Sequence, residues 1–114
     1  MQIDIQSRGF TLTDALLGYA KRRLHFAMSK CSDQINRVVI RLSDINGPRG
    51  GADKRCHVQV VMTGMPDVVV EDTEVNLYDA IDRAIDRTSR TVGRKIDRQL
   101  TRLRQHKPLI FDEA

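Results

Sequence analysis

Residues 76–105 read NLYDAIDRAIDRTSRTVGRKIDRQLTRLRQ, thirty positions without a proline and with one glycine, Gly93. Such a stretch predicts one unbroken helix of about 45 Å, at 1.5 Å per residue. That is longer than a compact domain of 114 residues is wide. Pro108 stops it, since proline cannot continue the backbone ladder. At 100° per residue the positions sort into stripes. Ile81, Ile85, Val92, Ile96 and Leu103 share a core face, with Tyr78, Thr88 and Leu100 at its edges. Arg83, Arg87, Arg90, Arg94 and Arg98 share another face, and Asp79, Asp82, Asp86 and Asp97 lie between the two. Asp79 precedes Arg83 by four and Asp86 precedes Arg90 by four, the order in which such pairs stabilise a helix.

Working back from that helix, the chain alternates. Val38, Ile40 and Leu42 point one way, Arg37, Val39 and Arg41 the other. Cys56, Val58, Val60 and Met62 oppose Arg55, His57, Gln59 and Val61 in the same manner. Period-two patterning of this kind predicts strands with one buried face. Gly64-Met65-Pro66-Asp67 turns into a further strand, Val68 to Glu71, and Asn46 to Gly51 is a glycine- and proline-rich loop. Nearer the start, Ile3 and Ile5 mark a first strand, and Arg8-Gly9 a turn. Thr13 then caps a helix. Leu16, Leu17, Ala20, Leu24, Ala27, Met28 and Cys31 form its apolar stripe, so the helix is expected to reach about residue 31.

The predicted fold class is α+β in the order β-α-β-β-β-α. It has a four-stranded mixed sheet, two helices packed on one face, and the general plan of a double-stranded RNA-binding domain. A helical crossover between the first two strands makes them parallel, and the later three form an antiparallel meander. Residues 1–106 are expected to be one domain and 107–114 a short tail.

Charge is distributed unevenly. Residues 1–75 carry ten Lys/Arg against nine Asp/Glu, whereas residues 87–107 carry eight basic residues against Asp97 alone. Self-repelling arginines on one helix face call for an anion, and guanidinium grips phosphate in a fork geometry. The first helix adds Lys21, Arg22 and Arg23. These three span about 200° and cannot all face one ligand. Arg23 sits at the stripe's edge, where its head can emerge beside the second helix. The candidate RNA-binding residues are therefore Arg22, Arg23, Arg87, Arg90, Arg94, Lys95, Arg98 and Arg102.

Other chemistries fare poorly. His25, Cys31, Cys56 and His57 have no metal-ligand spacing. Cys56 and His57 are adjacent on a strand and point to opposite faces, which excludes a catalytic pair. The Gly47–Gly51 segment leads to a strand and lacks a phosphate-loop ending, although Arg49 could touch RNA backbone. No enzyme, cofactor, metal or small-molecule substrate is indicated. Aromatic residues make up 4% and tryptophan is absent, which disfavours base-stacking surfaces. No apolar run is long enough to span a membrane. The polar N-terminus and two unframed cysteines fit a cytoplasmic protein.

The segment Leu77-Tyr78-Asp79-Ala80-Ile81-Asp82 opening a long basic helix resembles the ribosome hibernation-promoting factor and ribosome-associated inhibitor A family. Met1-Gln2-Ile3-Asp4-Ile5 and Leu12-Thr13-Asp14-Ala15-Leu16 are similar to the same family, and the likeness covers about residues 1–105. It implies a protein of stationary or stressed cells. Its partner would be the small ribosomal subunit with its 16S-type rRNA, in the channel used by mRNA and the A- and P-site tRNAs. Arg23, Arg87, Arg90, Arg94 and Arg98 fall where the family carries Lys or Arg. Phe26-Ala27 departs from a basic-apolar pair usual in the first helix, and 114 residues are expected to leave no room for the dimerisation domain of long members. Two alternatives remain at this point: a general double-stranded RNA-binding domain, and a protein-interaction module regulating transcription. Self-association is undecided, since the open sheet face is polar but edge strands remain.

Overall fold

Residues 1–44 and 53–106 are described by the structure, a computed structural model. The elements are β1 (Gln2–Arg8), α1 (Asp14–Met28), a 3₁₀ turn (Ser32–Gln34), β2 (Ile35–Asp44), β3 (Lys54–Met62), β4 (Val68–Glu74) and α2 (Leu77–His106). The strands lie in the order β1-β2-β3-β4. β1 runs parallel to β2, and the other neighbours are antiparallel. The expected mixed sheet and α+β order are both present.

One face of the sheet carries the core. Val38, Ile40, Leu42, Cys56, Val58, Val60, Val68 and Val70 are buried there with Leu16, Ala20, Leu24 and Met28 of α1 and Ile81, Ile85 and Val92 of α2. At about 1.5–3 kcal/mol for each large apolar side chain taken from water, this contact drives the fold. Thr88 is the polar member of the α2 face. It is fully buried and donates its hydroxyl to the Ala84 carbonyl at 2.6 Å.

α1 starts on its expected cap, and α2 starts on one that the sequence reading did not name. Thr13 Oγ1 accepts from Leu16 N–H at 3.2 Å, and Asn76 Oδ1 accepts from Tyr78 N–H at 2.8 Å. Three expectations need correction. α1 ends at Met28, with Ser29 as C-cap, so Cys31 packs against the core from the following turn. There Cys31 N–H bonds back to the Met28 carbonyl at 3.1 Å. β4 runs on to Glu74 because Asp72, Thr73 and Glu74 continue the ladder opposite Cys56, Arg55 and Lys54. Leu103 is 55% exposed rather than core, and Ile96 is only partly buried. The burial ends because α2 outruns the sheet, as its length implied. The loop with Arg49 and the tail 107–114 lie outside the described residues, as does the side chain of Arg104.

Candidate nucleic-acid interface

The alternation of β4 does not stop at its apolar residues. After Val68 and Val70 the same face presents Asp72 and Glu74, placed under the first turns of α2. Two arginines of the α2 stripe meet them. Arg83 Nε lies 3.5 Å from Glu74 Oε1. Arg87 Nη1 donates to the Glu71 carbonyl at 2.9 Å and lies 3.4 Å from Asp72 Oδ2. Arg83 thus reaches across to β4 rather than along its helix to Asp79. A hydrogen bond between Glu74 and Asp72 holds the Glu74 carboxyl above its ordinary pKa, as expected where carboxylates crowd. Arg90 pairs with Asp86 four residues earlier, as the spacing predicts.

Arg23 is also engaged. Its Nε lies 2.9 Å from Asp82 Oδ1, and the Tyr19 hydroxyl donates to that oxygen at 2.6 Å. This hydrogen bond, with burial, raises the pKa of Tyr19. Tyr19 also meets Tyr78 edge to face, centroids 4.8 Å apart. Asp79, Asp82 and Asp86 line one shallow groove with Arg23 and Arg83, so the first half of α2 is electrically balanced.

The second half is different. Among the described residues, Arg94, Lys95, Arg98 and Arg102 have no acidic partner. Arg94 Nη2 donates to Thr91 Oγ1 at 3.4 Å. Lys95, Arg98 and Arg102 line a groove of about 350 Å³ with Gln99 and the β3–β4 turn, Gly64-Met65-Pro66. Gly64 takes φ +70°, a left-handed conformation that favours glycine. The helical period brings Lys95 and Arg102 to the turn side of the stripe. The turn's part in this groove is a tertiary feature that no sequence pattern signals.

On α1, Arg22 is exposed and its guanidinium folds back over Gly18. The eight candidates therefore fall into groups. Arg23, Arg87 and Arg90 are held by acids, Arg94, Lys95, Arg98 and Arg102 have no acidic partner among the described residues, and Arg22 stands apart.

This fold has known relatives. Residues 3–107 match the family model described as sigma 54 modulation protein / S30EA ribosomal protein. The chain belongs to the S30EA ribosomal protein family. Among solved structures the S30EA chain is similar to the N-terminal domain of Thermus thermophilus Protein Y. The identity is 30% and the TM-score 0.68, over 82% of this chain and 98% of that one. It is also similar in fold to a ribosomal subunit interface protein from Coxiella burnetii, at 16% identity and TM-score 0.72, over 85% of this chain and 99% of that one. No curated protein matches it by sequence. Membership makes the S30EA chain a ribosome-associated factor. No helix among its described residues is long and apolar enough to cross a membrane.

Proposed function

We propose that the protein is a hibernation factor that binds the small ribosomal subunit and blocks its mRNA and A- and P-site tRNA channel. The four cations Arg94, Lys95, Arg98 and Arg102 carry this reading, since among the described residues they have no acidic partner. Arginine and lysine at successive turns match the spacing of a phosphate backbone in charge, though they read no base. Arg22 adds a contact from α1. Arg23, Arg87 and Arg90 join only where RNA phosphate displaces the acids that hold them. Residues 1–106 act as one unit in the cytoplasm, with rRNA as the partner and no cofactor.

Co-sedimentation of purified protein with small subunits tests the proposal. The protein is expected to travel with the subunit, to slow translation of added message, and to prefer the subunit over free RNA duplex at equal nucleotide concentration. Equal preference would identify a general duplex binder. Failure to sediment at low salt would refute ribosome binding through this face.

A further inference from the structure

The sheet's other face is open to solvent, on the opposite side from α2. Its register places Arg8 and Arg55 directly beside Ser43, one on each neighbouring strand. Arg41 stands two residues before Ser43 on the same strand and same face. Strand spacing sets the Arg8 and Arg55 backbones about 10 Å apart, so long side chains from three positions can converge over one hydroxyl. Together they line a groove of about 450 Å³. Among the described residues none of the three arginines has a hydrogen bond or an ion pair.

The local acid does not balance them. Glu71 lies in the groove, but its Oε2 is 2.9 Å from His57 Nδ1. That hydrogen bond, aided by the field of Arg55, holds the Glu71 carboxyl below its ordinary pKa. One carboxylate already bonded to an imidazole faces three guanidiniums. None of the three arginines is directly opposite another, so the sheet tolerates them, but their diagonal positions bring their long side chains within reach of one anion. Among the described residues no Phe, Tyr or Trp lines the groove, and its one ring, the His57 imidazole, is held by Glu71. Its arginines supply forked donors, and Ser43 adds a hydroxyl.

We infer that the open-face groove of Arg8, Arg41 and Arg55 is a second anion site, built for a phosphate group and indifferent to any attached base. It lies apart from the α2 surface and does not depend on ribosome binding. The phosphate is either that of a small phosphorylated metabolite or one of an RNA backbone, and two probes separate these sources. The labelled full chain is titrated with inorganic pyrophosphate and, separately, with hexauridylate, while the arginine Nε–H and Ser43 amide NMR signals are followed. Both probes should shift Arg8, Arg41, Ser43 and Arg55 saturably. Tighter binding of pyrophosphate assigns a small metabolite, and tighter binding of hexauridylate assigns RNA. Arg41→Gln with Arg55→Gln should weaken the preferred probe about tenfold or more, since each removes a charge-assisted contact. Lys21→Gln with Lys30→Gln, a loss of the same two charges outside the groove, should not. Thermal unfolding of the double variant should match wild type, because both changes keep the aliphatic stems. The inference is overturned if neither probe saturates, if the shifts fall on other residues, or if the double variant binds as wild type does.

Discussion

Arg23 on α1 and Asp82 on α2 are joined by an ion pair, Nε to Oδ1 at 2.9 Å, and the Tyr19 hydroxyl shares the same oxygen. The contact spans 59 residues of sequence and clamps the two helices above the sheet. A double-mutant cycle of Arg23→Ala and Asp82→Ala should show a coupling of about 0.5–1 kcal/mol by urea unfolding. Both side chains are partly open to water, which limits the value. Asp82→Asn should also release Arg23 and strengthen ribosome binding modestly. Weaker binding would mean that the clamp positions Arg23 for RNA.

The two halves of α2 should respond oppositely to mutation. Arg87→Ala breaks the contacts to Glu71 and Asp72. It should lower stability by up to about 1 kcal/mol and change small-subunit affinity little. Arg98→Glu with Arg102→Glu should leave the unfolding midpoint nearly unchanged and reduce affinity about a hundredfold, since two exposed contacts are both lost and reversed. Affinity and urea midpoint measured on the same preparations check both. If Arg87→Ala proves the more damaging to binding, the division of the helix is wrong.

Much of this was legible in the sequence. Period-two alternation placed the strands and their buried face, and the 3.6-residue stripe placed Ile81, Ile85 and Val92. What the sequence could not show was where the partner surfaces end. Leu103 continues the apolar stripe of α2 but lies past the sheet, and it stays 55% exposed. Cys31 continues the stripe of α1, yet the chain leaves the helix at Met28. The division among the arginines was hidden for a similar reason. Asp72 and Glu74 lie on a strand, off the helical wheel that carries Arg83 and Arg87, and only the run of β4 beneath α2 brings them together. Arg23 was placed at the helix–helix edge from its position, but its acceptor belongs to a segment 59 residues away.

Cys56 is fully buried, and burial pushes its thiol up to about 12. In native buffer at pH 8 it should resist alkylation, since the thiolate is the reactive form. Its labelling rate should rise only with urea, in step with global unfolding. The folded pKa lies above the unfolded value of about 8.5. The stability linked to this thiol is therefore intact below about pH 8.5 and falls as the pH climbs toward 12. A Cys56→Ala variant should lose that share of the alkaline dependence. Rapid native labelling of Cys56 would contradict the burial.

The central claim is that the free cations of α2 hold RNA phosphate, and the salt dependence of small-subunit affinity tests it most directly. With Arg94, Lys95, Arg98 and Arg102 of α2 and Arg22 of α1 as contacts, log affinity against log salt should fall with a slope of roughly −3.5 to −4.5, at about 0.7–0.9 per phosphate. Replacing Arg98 and Arg102 by Gln should make that slope shallower by about 1.5. A slope near zero, or one that the double replacement leaves unchanged, would contradict the account.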